Sequence, residues 1–168
     1  MFKNITIKKL LKELIFIGIT LFIAMNLISY LRSPKLSTTA LPEISSPLID
    51  KRMFSTHESP DKPLLVHFWA TWCPTCKLEA GNIQMISEHF NVITIAVKSG
   101  SDTEISNYLK ENNFNFKVIN DDKGIYASQF FIPAYPTTFI YNSDKDLEFS
   151  EVGYSSTLGL YLRMLWAQ

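Results

Sequence analysis

Seven residues, Leu64 to Ala70 (LLVHFWA), are apolar apart from His67, and Trp72-Cys73-Pro74-Thr75-Cys76 follows almost at once. A run apolar on both faces suits a central strand covered by helices on both sides. Beyond it, Ala80, Ile83, Ile86 and Phe90 recur at spacings of three and four, which predicts a helix from Pro74 to about Phe90. The cysteine pair therefore falls where a buried strand hands over to a helix.

The same alternation continues. Val92–Val97 (VITIAV) is a β-branched strand, and Asp102 can cap a helix to about Asn112 with Ile105, Tyr108 and Leu109 inward. Phe116–Ile119 is predicted as a strand and Ile125–Phe131 as a short helix. Thr137–Tyr141 and Leu147–Val152 form an antiparallel hairpin through Asn142–Asp146, and Ser155 or Ser156 opens a last helix to about Ala167. Strands alternating with helices, then a hairpin and a closing helix, define an α/β chain with a mixed sheet. Phe114, Phe116, Phe130 and Phe131 are expected in the core.

The N-terminal part differs. Residues 14–31 (LIFIGITLFIAMNLISYL) contain no charge, and as helix they would run about 27 Å. Residues 1–35 carry six basic side chains and one acid, the remainder ten and fifteen. Four lysines precede the apolar run, against Arg32 and Lys35 after it. The expectation is a cytoplasmic N-terminus over 1–13, an uncleaved single-pass inner-membrane anchor over 14–31, and a C-terminal domain in the periplasm. Residues 32–47, rich in Ser, Thr and Pro, read as a linker. A folded domain is expected over 48–168, with a short strand or hairpin around Arg52–Ser55. The zero formal charge gives no reason to expect a nucleic-acid partner.

Two cysteines exclude a multiply stapled mini-scaffold and an all-cysteine four-ligand metal site within one chain. A helix N-terminus carries partial positive charge and unpaired N–H groups, which favour Cys73 as thiolate, while Pro74 suits the first helical turn. Two intervening residues let Cys76 attack a mixed disulfide at Cys73, a reversible dithiol–disulfide switch. Two other readings stay open: a structural staple, and a copper(I) module using the same thiolates. His67 and His89 lack the spacing of a zinc motif, and no metal is assigned. His67, six residues before Cys73, is either a hydrogen-bonded core histidine or a proton acceptor for Cys76. Glu79 is either a solvated first-turn acid or a proton acceptor that tunes the pair.

Phe68-Trp69-Ala70-Thr71-Trp72-Cys73-Pro74-Thr75-Cys76-Lys77 resembles the active-site stretch of thioredoxin-fold proteins, closest to the TlpA-like thiol–disulfide oxidoreductases. Tyr135-Pro136-Thr137 is similar to that family's cis-proline loop, Gly153 to the glycine bordering its active site, and Glu79 to a glutamate of the TlpA-like group. Val97-Lys98-Ser99-Gly100, Val118-Ile119-Asn120-Asp121 and Gly153-Tyr154-Ser155-Ser156 through Arg163-Met164-Leu165-Trp166-Ala167 resemble the suppressor of copper sensitivity protein D group. The resemblance implies a thioredoxin-like fold over 48–168 and exchange of disulfides with protein partners. It also implies that Cys73 and Cys76 are the redox pair and that Trp72, Pro74, Thr75, Tyr135, Pro136 and Gly153 line the substrate groove. It implies no organic cofactor, and a membrane reductase of DsbD-like or copper-suppressor B type as electron donor. Cytochrome c-maturation reductase is a further alternative; no glutamate follows Pro136, where that group carries one. Copper carriers often place methionine where Trp72 stands, and Sco-type proteins space their cysteines by three.

Overall fold

The computed structural model describes residues 9–20, 39–57 and 62–168. Seven strands and four helices follow one another over 39–168: β1 (Ser45–Pro47), β2 (Met53–Ser55), β3 (Leu64–Trp69), α1 (Pro74–Ser87), β4 (Asn91–Val97), α2 (Asp102–Glu111), β5 (Val118–Asp121), α3 (Ile125–Gln129), β6 (Thr137–Tyr141), β7 (Leu147–Val152) and α4 (Thr157–Trp166). Five strands form one sheet in the order β5-β4-β3-β6-β7. β3 and β4 are parallel, as are β4 and β5; β6 runs antiparallel to both β3 and β7.

β3 is buried along its whole length, as its unbroken apolar run demands. Its alternate residues divide the core. Leu65 and Trp69 face one layer with Cys73, Cys76, Ile83, Ile86, Leu160 and Met164. Leu64, Val66 and Phe68 face the other, with Ile44, Phe54, Ala127 and Phe130. Helices α1, α2 and α4 therefore cover one face, and α3 with the β1–β2 hairpin covers the other. Ser101, rather than Asp102, caps α2, through a reciprocal capping box with Glu104.

Three expectations are corrected. Residues 39–47 are not linker. Leu41 N–H donates to the Lys145 carbonyl and Ile49 N–H to that of Val118, so this segment straps one sheet face from the β6–β7 turn to β5. Ile44 is completely buried there; the remaining residues of the expected linker, 32–38, lie outside the described residues. Phe131 is exposed, with a left-handed φ of 50°, because α3 ends just before it. The single-pass inner-membrane placement, with its periplasmic C-terminal domain, is overturned as well. No helix among the described residues is long and apolar enough to cross a membrane. Residues 9–20 are helical and include Lys9, Lys12 and Glu13. Residues 21–31 of the expected span, and residues 1–8 before it, lie outside the described residues.

Candidate active site

Cys73 is the N-cap of α1 and Pro74 its first residue. Pro74 has no N–H to leave unpaired there, and its fixed φ already fits the helix. The Cys73 Sγ accepts a hydrogen bond from the Cys76 N–H at 3.2 Å, so a thiolate on Cys73 is met by a backbone donor and by the positive end of a 14-residue helix. The two cysteines are joined as a disulfide with Cα atoms 5.3 Å apart. Cys73 is 5% exposed and Cys76 1%, so Cys73 is the less enclosed of the two.

The Tyr135–Pro136 bond is cis, and the Tyr135 carbonyl oxygen lies 3.6 Å from Cys73 Sγ. Gly153, at φ 102°, donates its N–H to the Pro136 carbonyl at 2.8 Å, which brings the end of β7 to the same loop. Trp72 is 57% exposed; its ring meets Tyr135 edge-on at 5.7 Å and its indole N–H donates to the Lys98 carbonyl. Pro74 is exposed and Thr75 half-buried. A shallow hollow of about 380 Å³ opens beside Trp72 and Tyr135, with Lys98, Lys123 and Ile132 on its walls. The residues expected to line a groove thus gather around Cys73.

Glu79 lies one helical turn beyond Cys76 on the inner side of α1 and is fully buried. It is not a solvated first-turn acid. Its Oε1 accepts from the Ser155 N–H at 3.1 Å, while Oε2 has no hydrogen-bond partner. Burial pushes its carboxyl up to about 8; the Ser155 N–H opposes that rise and the Glu151 charge adds to it. A carboxyl raised this far titrates in the range of an ordinary thiol rather than that of a surface acid.

His67 shares a sheet face with Leu65 and Trp69, the face that carries the cysteines. Its Nδ1 lies 2.9 Å from Thr138 Oγ1, and burial drives its pKa down to about 3. A ring held neutral so strongly is a weak base at neutral pH, which favours the core-histidine reading. Sequence reasoning missed Asn82 and Ser155. Asn82 donates to the Ser155 carbonyl at 2.8 Å and accepts from Thr157 Oγ1, so Glu79 and Asn82, at i and i+3 on α1, together hold the turn into α4. Their spacing was visible in the sequence, but their shared target lies more than seventy residues away.

Fold and cysteine pair define a thioredoxin-like thiol–disulfide oxidoreductase. The chain belongs to the AhpC/TSA family, which it matches over residues 38–150. It is 28% identical over 164 residues to a thioredoxin-like protein of Haemophilus influenzae, covering 96% of this chain and 97% of the relative. It is 26% identical over 96 residues to sporulation thiol-disulfide oxidoreductase A of Bacillus subtilis, covering 53% of this chain and 58% of that one. Among solved structures, a thiol:disulfide interchange protein of Chlorobium tepidum superposes with a TM-score of 0.68 at 24% identity, covering 79% of this chain and 98% of that chain. At that identity the superposition speaks for the fold alone.

Proposed function

We propose that the protein exchanges disulfides with other proteins, Cys73 acting as nucleophile, Cys76 as resolving thiol and Glu79 as proton acceptor. In the reducing direction, the Cys73 thiolate attacks one sulfur of a substrate disulfide. That S–S bond breaks, a Cys73–substrate bond forms, and the other substrate sulfur leaves as a thiolate that takes a proton from water. Cys76 passes its proton to Glu79 and attacks Cys73 Sγ. The mixed disulfide breaks, the second substrate thiolate leaves, and two electrons have moved from the dithiol to the substrate. In the oxidising direction the steps reverse, and Glu79 returns its proton to Cys76.

The observation that carries this reading is the helix-capping Cys73 facing the Tyr135 carbonyl beside exposed Trp72. A substrate strand laid along the Tyr135–Thr137 loop would present its sulfur there, its backbone pairing with the loop. The resemblance to the suppressor of copper sensitivity protein D group supports a reductase of DsbD-like or copper-suppressor B type as electron donor.

The test is Cys76→Ala. With no resolving thiol, this variant should accumulate mixed disulfides with protein partners through Cys73, and in the native reduced protein Cys73 should alkylate faster than Cys76. Faster alkylation of Cys76 would refute the assignment. Tight copper(I) binding that a thiol-blocked control loses, with no mixed disulfides trapped, would favour the copper module instead.

A further inference from the structure

The proton acceptor on α1 is wired to a charged pair on the far side of the β7–α4 turn. Ser155 is the junction: its N–H donates to Glu79 Oε1 at 3.1 Å, and its hydroxyl donates to Glu151 Oε2 at 2.9 Å. Glu151 Oε1 is in turn ion-paired with Arg163 Nη2; the two side chains are 18% and 26% exposed. Arg163 is held from two further sides. Its guanidinium carbon lies 5.9 Å from the centre of the Phe149 ring, and its Nη1 occupies the space a side chain at position 159 would need: a Cβ there would stand 2.8 Å from it. Gly159 is an unfavourable residue inside a helix, by about 1 kcal/mol against alanine. The room it leaves for the guanidinium accounts for it.

We propose that Glu151, held by Arg163 and joined to Glu79 through Ser155, is a positioning residue that sets when Glu79 can take the proton of Cys76. The inference rests on Glu79 being that acceptor. Burial is the main reason the Glu79 carboxyl is raised, and the Glu151 charge adds to it; a cation ion-paired with Glu151, as Arg163 is, acts in the opposite sense. Several groups lie on the elements around Glu79. Cys76 and neutral Asn82 come from α1, Ser155 from the turn, Glu151 from β7 and Arg163 from α4. His67, on the same sheet face two strands from β7, is uncharged. Glu151 is the charged side chain that acts on Glu79, and its ion pair with Arg163 is what a substitution can change.

The experiment uses the reduced full-length protein and Ellman's reagent. The first thionitrobenzoate released reports attack by Cys73, and the second reports resolution by Cys76. The second rate is followed against pH. Glu79→Gln should flatten its rise. Glu151→Gln should move the midpoint of the rise down by about half a pH unit, and Arg163→Gln should move it up by a similar amount. The double variant should return close to the native midpoint. Gly159→Ala, which removes no charge but displaces the guanidinium, should shift the midpoint in the direction of Arg163→Gln and serves if that variant does not fold. Shifts of one sign in both charge variants, or no shift in either while Glu79→Gln flattens the profile, would overturn the inference and leave Glu79 as acceptor. An unchanged profile in Glu79→Gln would remove Glu79 itself, and this inference with it.

Discussion

His67 Nδ1 lies 2.9 Å from Thr138 Oγ1, directly across the antiparallel β3–β6 pair in which the two residues are register partners. Thr94 is the register partner of His67 on β4 and Glu151 that of Thr138 on β7, so a polar row crosses four strands beneath α1 and α4. Burial in this row holds the ring neutral, and Thr138 is its hydrogen-bond partner.

His67→Ala should therefore cost stability, of order 1–3 kcal/mol, and leave the pH profile of exchange unchanged. The sign of the native pH dependence follows from a folded value near 3 against about 6.5 when unfolded. The unfolded chain binds the extra proton between those values, so stability is full above pH 6.5 and falls as the pH drops toward 3. His67→Gln should lose this acid-side slope. Urea denaturation of both variants between pH 4 and 8 checks it; an altered rate profile at undiminished stability would return His67 to the mechanism.

Glu79 has the opposite linkage. Its carboxyl sits near 8 folded against about 4.5 unfolded. The folded state binds the extra proton in that window, so this contribution to stability is full below pH 4.5 and declines as the pH rises to 8. Glu79→Gln should be more stable than the native protein at pH 8, by a few kcal/mol in order of magnitude, while resolving disulfides more slowly there. A variant that is both less stable and equally fast at pH 8 would refute this account.

Trp72 is more than half exposed, so its removal leaves little of the core undone. Trp72→Ala should change stability by less than about 1 kcal/mol. It should slow exchange with a protein disulfide several-fold more than exchange with oxidised glutathione, which is too small to span the hollow beside Tyr135. Equal slowing with both oxidants would argue against a docking role.

Ile44 tests where the folded unit begins. It is fully buried against the β1–β2 face, and Thr56 both donates to it and accepts from it. Ile44→Ala should cost about 2–5 kcal/mol in urea denaturation. A loss below about 1 kcal/mol would mean that residues 39–57 are dispensable to the fold.

Local pattern was enough for much of this molecule. The unbroken apolar run of β3 announced a covered central strand, the three-and-four spacing announced α1, and β6 and β7 lie at their expected bounds. Cys73-Pro74-Thr75-Cys76 carried its own logic, because a helix N-terminus and a proline at its first position act within a few residues. What the tertiary structure alone decided was environment. The Ser- and Pro-rich residues 39–47 looked like linker, since nothing local signals that Ile44 will meet the back of the sheet. Glu79 read equally as a surface acid or an acceptor, and His67 as a base or a core residue. Burial sets the protonation of both, Ser155 and Glu151 act further on Glu79, and Thr138 is the hydrogen-bond partner of His67; all three lie seventy or more residues distant along the chain. Desolvation and long-range hydrogen bonding depend on how layers pack, and single-chain periodicity carries no record of that.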